Sequence, residues 1–141
     1  MKCAMMPALL LAATALMVPA APQAQQSASD ARVFELRTYY TNEGKMPDLH
    51  KRFREHTNRL FKKHGLTIIG FWEPQDDKDG KGDKLVYLLA FPSREAAKAS
   101  WKAFSDDPEW KKVYAESHKD GVLVKKVESM YLVPTDYSPI K

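Results

Sequence analysis

The strongest constraint on what this chain folds into is the order of its patterned segments beyond residue 32. They read strand, helix, strand, strand, helix, strand, the pattern of a small α+β sandwich built on a four-stranded antiparallel sheet. The first strand, Val33 to Tyr40, alternates: Phe34, Leu36, Thr38 and Tyr40 share one face, and Val33, Glu35, Arg37 and Tyr39 the other. The second, Leu66 to Glu73, and the third, Leu85 to Phe91, do not alternate. Ile68, Ile69, Phe71 and Trp72, and the run from Leu85 to Leu89, are apolar on both faces. Two helices cover only one face of such a sheet. A wetted second face alternates with polar residues, and a large exposed apolar face is what monomers avoid. A two-fold partner packing sheet against sheet is the simplest remedy, so a homodimer is expected.

The helices carry their own punctuation. The first is expected from about Lys45 to His64, with Met46, Leu49, Phe53, His56, Leu60 and His64 at three- and four-residue spacing. Pro47 fits only in its first turn, and Gly65 is a natural C-cap. Ser93 caps a second helix carrying Ala96, Ala97, Trp101 and Phe104. Asp107-Pro108 restarts it with an N-cap and a proline at the first helical position, and Trp110, Val113 and Tyr114 continue the stripe until Gly121. Val122 to Val133 is the last strand, followed by a tail from Pro134 to Pro139.

The segment before this domain has the layout of an export signal. Lys2 precedes an apolar run from Ala8 to Val18, followed by Pro19-Ala20-Ala21-Pro22 and a polar stretch. Residues 1–24 are read as a signal peptide, 25–31 as a linker and 32–139 as the domain. The apolar run is short for a bilayer span. No arginine precedes Arg32, as a mitochondrial presequence requires, and Cys3 precedes the apolar run instead of following it as a lipid anchor does. An exported protein, periplasmic or secreted and without a stable membrane anchor, is expected. Cys3, the only cysteine, leaves with the signal, so the mature chain has no thiol ligand or disulfide. Loss of Lys2 takes the formal charge from +4 to +3, a value that favours solubility more than nucleic-acid binding.

Five short motifs, in order, resemble the NIPSNAP family: Glu35-Leu36-Arg37-Thr38-Tyr39, Gly70-Phe71-Trp72, Leu85-Val86-Tyr87-Leu88, Asp107-Pro108-Glu109-Trp110 and Pro134-Thr135-Asp136-Tyr137-Ser138-Pro139. The resemblance spans essentially all of 32–139. It implies the dimeric α+β barrel, in which two ferredoxin-like βαββαβ protomers join through their sheets. It implies no settled activity, because relatives of that fold include cofactor-free monooxygenases, haem enzymes and proteins without known chemistry.

Glu35, Arg37 and Tyr39 are the residues that invite chemistry. Turned into a cavity between two protomers, they present a carboxylate, a fixed cation and a phenol in apolar surroundings, with Trp72 or Tyr87 as walls. Such a cavity suits a small apolar or aromatic ligand, quinone-like, with one polar group on Arg37. The competing reading is a structural Glu35–Arg37 pair that bridges the dimer. Among the histidines, His64 reads as a helix C-terminal cation or cap, and His56 as either a satisfied half-buried residue or, with Tyr39, a candidate catalytic group. No cofactor and no metal are expected. The histidines lack the spacing of a helical metal site, and no distinctive haem ligand stands out. A calcium frame with Gly80 at the sixth position puts Gln75 first and Val86 last, where carboxylates are needed. The loop from Asp76 to Asp83 is therefore read as a polar hairpin. Trp101, Phe104 and Trp110 are read as core. Lys84 to Phe91 lacks the glycine and interleaved aromatics of RNA-binding strands. Three functions stay open, in this order: a ligand-binding homodimer, a small cofactor-independent monooxygenase or haem-related enzyme, and a structural or interaction protein with a filled barrel.

Overall fold

A computed structural model describes residues 32–141; the expected signal peptide and linker lie outside the described residues. Four strands, β1 (Val33–Thr41), β2 (Thr67–Trp72), β3 (Lys84–Phe91) and β4 (Val124–Leu132), form one antiparallel sheet in the order β2-β3-β1-β4. That order is the ferredoxin-like one. The connections are α1 (Met46–Arg52), a π-helical stretch (Phe53–Thr57) and α2 (Asn58–Lys63) in one continuous helix, then α3 (Arg94–Asp106) and α4 (Pro108–Ser117). The loop read as a plain hairpin holds a single 3-10 turn, Asp77–Asp79.

The caps fall where expected. Ser93 accepts the Ala96 N–H and Asp107 accepts the Glu109 N–H. Gly65, at φ +76°, allows the chain to leave the first helix: Leu66 N–H bonds the Phe61 carbonyl and Gly65 N–H that of Lys62, the paired bonds of a Schellman motif. The main departure is inside the first helix. The wider π turn, closed by Asn58 N–H on the Phe53 carbonyl, carries the buried set from Phe53 to Thr57 and then to Leu60 and Phe61. His56 is thereby turned off the apolar stripe. The Thr57 hydroxyl, buried, donates to the Arg52 carbonyl at 3.2 Å.

The sheet register fixes what each face carries. One row runs Phe71–Tyr87–Arg37–Ser129 across all four strands, and the next runs Leu88–Leu36–Met130 on the opposite face. The first row lies under the helices, where Phe53, Phe61, Tyr87, Trp101 and Phe104 form the aromatic centre of the core. A bulge between Ile68 and Gly70 lets β2 put both Ile68 and Phe71 on that side. On the other face the Trp72 ring lies back over Gly70, where an added Cβ would sit 2.7 Å from it. Trp72, Met130 and Leu132 are exposed there.

Candidate functional site

Alternation on β1 puts Glu35, Arg37 and Tyr39 on one face, as expected, but that face is the one the helices cover. This corrects the expected placement in a cavity between two sheets. The Glu35 carboxylate is 1% exposed and fully engaged from three elements: Oε1 accepts from Arg37 Nη1 at 2.8 Å and Ser129 Oγ at 2.6 Å, and Oε2 from the Trp101 indole N–H at 2.5 Å. Arg37 also lies 4.2 Å from the Trp101 ring and 5.7 Å from that of Tyr39. Trp101 is thus more than core filling, because a buried indole seeks an acceptor and this one finds Glu35. Ser129 and Tyr131 complete the cluster from β4, with the Arg94 guanidinium 3.6 Å from the Tyr131 ring. Trp101 carried a legible signal in that N–H, whereas Ser129 and Tyr131 become visible only once the β1–β4 register is known.

Not every polar group in this layer is satisfied. Arg37 Nε and the Tyr87 hydroxyl are buried without a partner, and Arg37 and Tyr87 are directly paired across β1 and β3. Burial opposes the charge on Arg37, but the Tyr87 and Tyr39 phenols and the Glu35 carboxylate outweigh it and raise its pKa. Burial first, then the neighbouring Tyr39, pushes the Tyr87 phenol well above its ordinary value, so it is a hydrogen-bond donor at neutral pH. Burial and the Glu35 charge raise Tyr131 likewise. Tyr39 stands edge-on to Tyr87 at 5.2 Å and, like Arg37, is half-buried, so these two form the accessible edge of the cluster.

The remaining expected residues lie elsewhere. Trp72 is on the helix-free face and does not share a wall with Tyr87. His56 is on the outer surface of the helix layer, 3.8 Å from Glu55, and is not brought to Glu35, Arg37 or Tyr39. His64 acts as a tie between helices and not as a simple cap: its Nε2 meets Asp107 Oδ2 at 2.6 Å, beside Lys63 Nζ at 2.7 Å. The Lys63 and His64 hydrogen bonds hold the Asp107 carboxyl far below the usual aspartate range. A carboxylate whose pKa is depressed by folding stabilises fully above its unfolded value and loses that contribution as pH falls toward the folded one. Acid thermal melts are therefore expected to show wild type losing stability below about pH 5, through the ordinary aspartate pKa of about 3.9. Asp107→Asn is expected to melt lower at neutral pH and to show a shallower acid slope; an unchanged slope would mean that Asp107 does not carry it. Among the described residues, no group of three or more His, Cys, Asp or Glu is placed to hold a metal, and no helix is long and apolar enough to cross a membrane.

The sheet order and the two helical connections on one face make this a ferredoxin-like α+β protein with a buried carboxylate–guanidinium–indole cluster beneath α3. The sequence pattern of the NIPSNAP family matches residues 34–139, and the chain belongs to that family. A NIPSNAP family protein of unknown function from Agrobacterium tumefaciens is similar in structure at TM-score 0.69 and 21% identity, over 79% of this chain and 96% of that one. A NIPSNAP-like domain protein from Burkholderia xenovorans is similar at TM-score 0.67 and 16% identity, over 78% and 90%. SnoaB, a cofactor-independent oxygenase from Streptomyces nogalater, is similar at TM-score 0.50 and 12% identity, over 77% and 98%. At these identities the likeness is one of fold. No curated protein matches the chain significantly.

Proposed function

We propose that this chain is an exported homodimeric binding protein that holds a small aromatic molecule with one polar end, of phenol or quinone type. Each protomer holds its own ligand between β1, β3 and the first helix, and the helix-free sheet faces pair. The observation that carries the reading is the pair of orphaned groups, Arg37 Nε and the Tyr87 hydroxyl, on residues paired across β1 and β3 within a ring-lined layer. Leaving a buried donor without an acceptor costs about 1–3 kcal/mol, and a ligand oxygen placed between the two relieves both. Tyr39, Phe53 and Phe71 surround Tyr87 with ring contacts of 5.2 to 5.7 Å, surroundings suited to a flat apolar body.

Calorimetric titration with 1-naphthol and 1,4-naphthoquinone tests this. Saturable binding is expected, weakened about 5–10-fold by Tyr87→Phe, the equivalent of one hydrogen bond. The same variant is expected to be no less stable than wild type, because it removes a hydroxyl that has no partner in the free protein. Arg37→Lys, which keeps a cation for Glu35 but has no Nε, is expected to weaken binding while leaving the dimer intact. Absence of binding to both probes, or equal binding by Tyr87→Phe, sinks the proposal.

The oxygenase reading ranks lower on geometry. It needs a free base beside the substrate, but both oxygens of Glu35 are already taken and His56 is on the outer helix surface. Tyr39 alone remains of the candidate catalytic groups.

A further inference from the structure

We propose that the groove between α1 and α4 is a second binding site, which takes the carboxylate of a small apolar acid on Arg52. The groove has a volume of about 530 Å³, within the range of small-molecule sites. Its lining residues are all different from those of the Arg37–Tyr87 cluster, so the two proposals stand independently.

Arg52 lines this groove and is 6% exposed. Its guanidinium lies 5.3 Å from the Trp110 ring and 5.8 Å from the Tyr114 ring. Nη1 makes one long bond, 3.3 Å, to Ser117 Oγ. Nε is buried and has no partner. No carboxylate among the described residues lies within ion-pair distance of it. A buried guanidinium ordinarily keeps a counter-ion, and Arg37 in the same protein does, on Glu35. The two rings attract the Arg52 cation but offer Nε no acceptor.

The rim selects the ligand. Of the five acidic residues on the groove, Asp48 is held by Lys45, Glu109 by Arg59 and Glu116 by Lys119, whereas Glu55, 3.8 Å from His56, and Asp120 take no lysine or arginine among the described residues. Lys51 and Lys112, both exposed on the groove, take no acid among the described residues. Arg52, Lys51 and Lys112 thus outnumber Glu55 and Asp120, so the uncommitted charge is positive by one, and Arg52 is the buried member of the set that an anion would partner. The paired carboxylates nearby still repel a dianion more than a monoanion, so a carboxylate fits better than a phosphate. A guanidinium matches a carboxylate in a two-bond fork, and Val113 gives the groove an apolar lining residue for the body of the acid.

The test is an NMR titration of isotope-labelled protein with benzoate, phenyl phosphate and benzyl alcohol. Benzoate is expected to give saturable shifts confined to the groove residues of α1, the π turn and α4, with phenyl phosphate weaker and benzyl alcohol inert. Arg52→Gln is expected to lower benzoate affinity about tenfold or more, and Lys98→Gln, exposed on α3 and outside the groove, to leave it unchanged. Lys112→Glu, at an exposed position outside the core, is expected to weaken benzoate several-fold without affecting folding. The proposal is overturned by shifts centred on Arg37 and Tyr87, by equal response to benzyl alcohol, by tighter binding of phenyl phosphate, or by no saturable response.

Discussion

Replacing Glu35 with alanine is expected to cost the fold about 3–5 kcal/mol, the range for breaking a buried ion pair by removing one partner. Three donors lose their acceptor at once: Arg37 Nη1, Ser129 Oγ and the Trp101 indole N–H. The guanidinium is then left part-buried with no carboxylate, and β1, β4 and α3 lose the one group that ties them together. Against a typical domain stability of about 5–15 kcal/mol, such a loss brings the chain near unfolding. Glu35→Gln keeps the shape and one acceptor oxygen but sets an amide against one of the donors, so a smaller loss of about 1–3 kcal/mol is expected. Urea unfolding of the two variants and wild type measures both. A loss below about 1 kcal/mol for alanine, the value of an exposed pair, would show that the cluster does not hold the layers together.

Leu88→Asp is expected to have the largest effect on assembly. Leu88 pairs with Leu36 on one side and Gly70 on the other, at the middle of the helix-free face, with exposed Met130 one strand further on. In a two-fold interface each residue is present twice, once from each protomer. A central side chain is worth about 2 kcal/mol or more when lost, so the pair amounts to about 4 kcal/mol, or roughly a thousandfold in dissociation constant. The new carboxylate adds a desolvation cost to that. Sedimentation over a concentration series is expected to show a dimer for wild type and a monomer for Leu88→Asp, with the fold retained because this face has no helix packed on it. An unchanged dimer would place the interface elsewhere.

The element order and the caps at Ser93, Asp107 and Gly65 were legible because each rests on local chemistry: a side-chain oxygen at a helix start, or a residue free of a Cβ at its end. The grouping of β1 side chains was legible for the same reason, since alternation is a property of the strand itself. Which group faces the helices was not. The set Phe34, Leu36, Thr38 and Tyr40 is the more apolar, so hydrophobic patterning favours it as the core face. The set beneath the helices instead contains Glu35 and Arg37, and they are buried there only because Trp101 and Ser129 complete their hydrogen bonds from distant positions. His56 was misplaced by a single turn. A regular helix puts it on the stripe beside Phe53, whereas the π turn at Phe53–Thr57 hands that place to Thr57. Arg52 reads in the sequence as one more charge on a basic helix face, and only packing under Trp110 and Tyr114 reveals it as buried and without a counter-ion.

In the arrangement we propose, two copies meet through the helix-free face while each holds a small molecule on Arg37 and Tyr87. Native mass spectrometry of the protein freshly purified from an exporting host tests both halves in one spectrum. A dimer carrying added small-molecule mass is expected, with that mass diminished in Tyr87→Phe. A bare monomer would contradict it.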